Sequence, residues 1–298
     1  MPPQATLDLY NATRRRSLAT MLATRSLWGR IDSGGDWSAQ WATLLPAAVV
    51  LVGSAQVGAA TDGADSVGAS LAEAGFPEQQ QAVVAPRGFA GWLEDPATGA
   101  AVALDKALYS PLIHARRVAA GDDPGEMLRA GGAILEALAQ TAVADAARHA
   151  AMAQAVATER TTATWYEPAP YCQRCAVLIG KRVKVGTQFQ RHPRCDGMVH
   201  VLSERDRAAL PTVSADQVTD LNQWQKQAIS DGADFNQVVN AQTSPRNGKS
   251  ALRNNGLTTL AGAGRRGGVR LTPKGIYTLA GDDRAQAVEL LRQYGYLI

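Results

Sequence analysis

All three cysteines of this 298-residue chain, and one of its four histidines, fall between Tyr171 and Cys195, in YCQRCAVLIGKRVKVGTQFQRHPRC. The pattern is Cys172-x2-Cys175-x16-His192-x2-Cys195, two close pairs of the residue types that bind zinc in structural sites. A CxxC turn aims two thiolates at one ion, and the His/Cys pair closes a tetrahedron. With Cys172, Cys175, His192 and Cys195 as ligands no position is left for water, so the expected zinc is a staple and not a catalyst. His200 and Asp196 are alternative donors for one position. The other reading is a Cys172–Cys175 disulfide or redox pair beside an unrelated Cys195. A redox CxxC would open a helix in a thioredoxin-like βαβ unit, which the surrounding sequence lacks, and an odd cysteine count does not suit a disulfide scaffold.

The rest of the chain predicts a mainly α protein. Hydrophobic residues make up 46% but aromatics only 6%, and the apolar content is mostly alanine, which favours closely packed helices over sheets. Residues 1–164 are read as a helical domain, 165–205 as a small zinc-stapled α+β module, and 206–298 as C-terminal helices with an extended basic arm and a terminal helix. Charge follows this division. Residues 1–164 carry 12 Lys/Arg against 16 Asp/Glu and residues 165–298 carry 18 against 11, about −4 and +7. The basic half suits a polyanion or an acidic protein face. No targeting segment is visible, and the apolar run Leu44–Val52 contains Pro46 and is short for a membrane span. A soluble protein made in a reducing cytoplasm, with no membrane partner, is expected.

Periodicity predicts helices over 7–31 and 36–60, with Trp37 and Trp41 as core residues, Pro46 as a local kink, and an alanine-rich continuation over 61–75 ended by Gly75-Phe76-Pro77. Residues 86–98 read as loop. A short helix over 104–120 is expected to break at Pro111, and Asp122–Glu126 to start a long helix that continues to about 162. A hairpin is expected over 177–185, helices over 213–229 and 235–241, a polar arm over 243–268 and a last helix near 282–294. No internal repeat is apparent.

Enzyme signatures are missing: there is no HExxH, GxSxG, Walker loop or strand-linked GxGxxG. His114, His149 and His200 stand outside any recognisable motif, and His149 reads as a packed side chain with no role. An HNH-type endonuclease built on the zinc module would need further His/Asn ligands, and only His200 is placed for such a part.

The segments YCQRCAVLIG (Tyr171–Gly180) and FQRHPRCDG (Phe189–Gly197) resemble the CxxC…HPxC signature of Mu F-like minor head proteins of tailed phages, closest to versions from phages of actinobacteria. The resemblance extends in order through the Trp37–Ala60 helix, Phe89-Ala90-Gly91, Leu108-Tyr109-Ser110-Pro111, the stretch from Ala228 to Ala241, and Leu271–Tyr277. Relatives commonly carry a further cysteine where this chain has Gly197. The resemblance implies a non-enzymatic virion component, made in the host cytoplasm and incorporated during head assembly at low copy near the portal or the inner capsid surface. Its implied partners are the portal protein and the major capsid protein, with packaged double-stranded DNA a further partner for the basic half. A capsid maturation protease and a zinc-stabilised DNA-binding protein are the rival readings.

Overall fold

Small polar side chains, not large apolar ones, form the inner stripe of the first helix. α1 (Gln4–Trp28) buries Thr6, Thr13, Ser17, Thr20 and Thr24 along with Leu9, Tyr10 and Trp28, at the three- and four-residue spacing of one helical face. Thr20 and Thr24 donate their hydroxyls to the carbonyls of Arg16 and Thr20, one turn back, at 2.8 and 3.0 Å. They therefore enter the interior without an unmet donor. The computed structural model describes residues 4–76, 84–95, 100–118, 123–158, 162–185, 197–201, 213–240, 271, 273–294 and 296–297, and these are mainly helical.

Asp36 caps α2 (Trp37–Glu73), its carboxylate accepting from the backbone of Ser38 and Ala39. The helix ends where Gly75, at φ +96°, lets the Phe76 N–H reach back to Leu71 O, a closure that favours glycine. The two helical stretches expected at 36–60 and 61–75 are thus one element, with Pro46 inside it. Over an 18-residue window α2 has a mean hydropathy of 1.7, enough by length and composition to cross a bilayer. Its inner side, with Trp41, Ala48, Val52 and Ala59, lies in the protein core.

α3 (Leu104–Val118) runs through Pro111 without the expected break. Proline removes the N–H that would bond the carbonyl four residues back, that of Ala107. Ser110 Oγ donates to this carbonyl at 2.7 Å and takes the place of the lost bond. α4 (Pro124–Ala157) starts at the N-cap Asp123 with Pro124 in its first turn, and ends before residue 162.

The chain divides into two compact units, 1–167 with 179–211, and 168–178 with 212–298. The 165–205 stretch contributes to both. In the first unit α2 and α4 pack against each other and each packs against α1 and α3. α1 runs antiparallel to α4, pairing Arg25 with Glu136 and Trp28 with Leu128. The helices approach closely: a Cβ on Gly63 would sit 2.2 Å from Ala147 O, and one on Gly131 2.8 Å from the Trp28 ring. Trp28 and Trp41 meet edge to face at 4.9 Å and donate to Leu128 O and Leu108 O.

Two small sheets join this bundle. β1 (Trp92–Glu94), within the stretch that reads as loop, pairs antiparallel with β2 (Ala101–Ala103). β3 (Thr162–Tyr166) lies between β4 (Val183–Lys184) and β5 (Met198–Val201), with Trp165 opposite Val199. The stretch expected as a hairpin over 177–185 supplies the edge strand β4, and its partner β3 begins where the long helix is expected to end.

The second unit contains α5 (Gln173–Ala176), α6 (Gln223–Ser230), α7 (Phe235–Asn240), α8 (Pro273–Ala280) and α9 (Arg284–Gln293). Its core gathers Ala228, Val238, Ile276, Leu291 and Tyr296. The helix expected over 213–229 is a 3-10 turn at Ala215–Gln217 and then α6, separated by extended Val218, a turn at 219–220 and extended Asn222. One turn is built twice. Gly232 and Gly281 take positive φ, and Asp234 and Asp283 then accept from the backbone N–H of Gln237 and Gln286 at 2.9 and 3.0 Å. The polar arm over 243–268 lies outside the described residues.

Candidate metal centre

The CxxC stretch is fixed to the second unit from both sides. The Tyr171 N–H donates to Gln217 O at 2.7 Å and its carbonyl accepts from the Thr219 N–H at 2.9 Å, a parallel bridge centred on Tyr171 and Val218. Cys172 follows in extended conformation, φ −76° and ψ 152°, and caps the single turn α5. Its Sγ accepts from the Cys175 N–H at 3.3 Å, and its carbonyl accepts from the Ala176 N–H at 2.9 Å. Cys175 is buried and Cys172 is half-buried.

Asp220 holds the middle of the turn. Its Oδ1 accepts from the Gln173 N–H at 2.6 Å, one of the donors a helix N-terminus leaves without an internal acceptor. The Gln173 side chain in turn accepts at 3.1 Å from Gln225 Nε2. Gln225 is buried and exchanges two hydrogen bonds with Asn222 at the start of α6. Nothing in the sequence singles out Asp220, which stands 47 residues from its partner.

His192 and Cys195 lie outside the described residues. Among the described residues no three His, Cys, Asp or Glu side chains gather at a metal-binding distance. The thiol pair has the donor chemistry that suits zinc, soft sulfur on a braced turn, and would supply two ligands of a four-ligand set. The alternative donor His200 belongs to β5, is buried, and places Nδ1 3.0 Å from Thr6 Oγ1.

Two further arrangements lie in the first unit. Arg148 of α4 is buried with Asp145, Nη1 to Oδ1 2.6 Å, and also donates from Nε to Gly197 O at 2.7 Å while lying over the Trp165 ring. A Cβ on Gly197 would fall 2.4 Å from the Trp165 indole. His149 stacks on Trp92, ring centres 5.3 Å apart, with Nε2 3.0 Å from Glu94 Oε2. Burial holds its pKa below the ordinary value; the Glu94 carboxylate opposes this and the Arg148 guanidinium adds to it. His149, read as a packed residue, thus links the β1–β2 hairpin to α4. His114 lies exposed on α3.

No protein-family profile, curated protein or solved structure matches this chain.

Proposed function

We propose that the chain is a structural minor capsid protein of a tailed phage, built into the head near the portal or the inner capsid surface, with one structural zinc held by Cys172, Cys175, His192 and Cys195. The observation that carries this reading is the thiol turn. Within a CxxC…HPxC signature, the Cys172 sulfur accepts a backbone N–H and the loop is braced by Asp220, an arrangement suited to holding two thiolates in place. The ordered run of further segments resembling Mu F-like head proteins supports the assignment. The excess of Lys/Arg over Asp/Glu after residue 164 suits contact with portal, coat protein or packaged DNA through sequence-independent phosphate contacts. Zinc would supply cross-linking alone, since four protein ligands leave it no reactive position.

Protein composition of purified phage heads, measured by mass spectrometry, together with zinc quantification of the isolated full chain, tests the proposal. The expected result is the protein in heads at low copy and about one zinc per chain. Absence from heads with zinc still bound would overturn the capsid assignment and favour a zinc-stabilised DNA-binding protein. Absence of zinc from a chain present in heads would overturn the metal assignment alone. Cys172→Ala is expected to lose zinc and incorporation together, because metal binding at such a site is folding energy.

A further inference from the structure

The thiol turn is short, and its own hydrogen bonds close only part of it. Cys172 Sγ takes the Cys175 N–H and the Cys172 carbonyl takes the Ala176 N–H, which leaves the N–H of Gln173, the first residue between the two sulfurs, to be satisfied from elsewhere. Asp220 satisfies it at 2.6 Å, a charge-assisted bond of the stronger kind. The same carboxylate follows directly on Thr219, whose N–H and hydroxyl both bond Tyr171 O. Segment 217–220 therefore grips the chain at residue 171 and again at residue 173, on both sides of Cys172. Gln225 braces Gln173 through its side chain. A hydrogen bond on each flank fixes the backbone torsions of Cys172, and with them the direction of its sulfur relative to that of Cys175.

We propose that Asp220 is a positioning residue for the metal-binding thiol pair: it sets the separation and direction of the two sulfurs before the ion arrives and makes the 217–220 segment part of the metal site's supporting shell. The inference rests on the zinc reading given above. Partners that orient ligands from outside the coordination sphere change metal affinity by about 10–100-fold when removed. Asp220 is exposed and contributes no core packing, so its replacement tests orientation separately from folding.

The experiment is competitive zinc titration of the full chain and of the Asp220→Ala and Asp220→Asn variants, with the visible spectrum of the cobalt-substituted forms recorded alongside. Asp220→Ala is expected to weaken zinc binding by about tenfold or more and to shift or weaken the tetrahedral cobalt bands. Asp220→Asn keeps an acceptor oxygen and is expected to restore most of the affinity and the parent spectrum. If the parent binds zinc and Asp220→Ala matches it in both affinity and cobalt spectrum, the positioning role is overturned while the zinc reading stands. An Asp220→Asn chain as impaired as Asp220→Ala, with parent-like circular dichroism, would overturn the hydrogen-bonding account. A parent chain that binds neither zinc nor cobalt overturns the metal reading itself, and this inference with it.

Discussion

Gly197 has almost no room beside it. A methyl group there would enter the Trp165 ring, which is fully buried, so Gly197→Ala is expected to lower unfolding free energy by about 1–3 kcal/mol in urea denaturation. Gly197→Cys should cost at least as much. The neighbouring ion pair makes a sharper test. Arg148 and Asp145 have side chains only 7% and 5% exposed, and Arg148→Met would leave a buried carboxylate facing an apolar chain. A loss of about 3–5 kcal/mol is expected, and a loss below 1 kcal/mol would show that Asp145 is held by other groups. His149 adds a pH dependence whose sign follows from its lowered pKa. The unfolded chain takes up this proton near pH 6.5, its ordinary value, and the folded one only below it. Stability from this residue is therefore complete above pH 6.5 and declines as pH falls through the folded pKa. In melts run from pH 7.5 to 5, His149→Gln should flatten that part of the decline.

At the scale of elements, α3 depends on the exchange between Ser110 and Pro111. Ser110→Ala strands the Ala107 carbonyl and is expected to cost about 0.5–1.5 kcal/mol, whereas Pro111→Ala restores the backbone N–H and should relieve that loss in the double variant. The same exchange explains part of what the sequence made legible. Helix starts were readable because Asp36 and Asp123 carry their own capping signal, and the inner face of α2 because Trp37, Trp41, Ala48 and Val52 recur at helical spacing. The continuity of α3 was not readable, since a proline signals a break unless the hydroxyl beside it turns back to the orphaned carbonyl. The strands were hidden for another reason. β3, TATWY, is buried through its centre and lacks an in–out alternation, and β5 is buried at every position. Short, fully buried strands give no period to read. The candidate site divides similarly: the four expected ligands follow from spacing, while Asp220 and Gln225 are visible only once the chain has folded back on Tyr171.

Across the whole molecule the chain passes from one unit to the other after residues 167, 178 and 211. Ending the protein at Pro211 would remove Gln217, Thr219 and Asp220, every backbone partner described for Tyr171 and Gln173 beyond their own turn. Cys175, only 2% exposed in the intact chain, is then expected to react with a thiol reagent at least tenfold faster, by the loss of about 1.4 kcal/mol or more of protection. Unchanged kinetics would mean that residues 168–178 keep their conformation without the C-terminal part.

That discontinuous path also bears on inheritance. An eleven-residue piece that completes the second unit is encoded inside the gene region for the first. A single recombination point anywhere between codons 179 and 211 would pair the thiol turn with a foreign edge, one lacking the carboxylate at 220. Such hybrids would carry an unsupported cysteine pair, and selection would remove them unless both pieces moved together. The two stretches are therefore expected to share one ancestry, and the C-terminal part of this protein to be exchanged between genomes only with its distant partner or not at all.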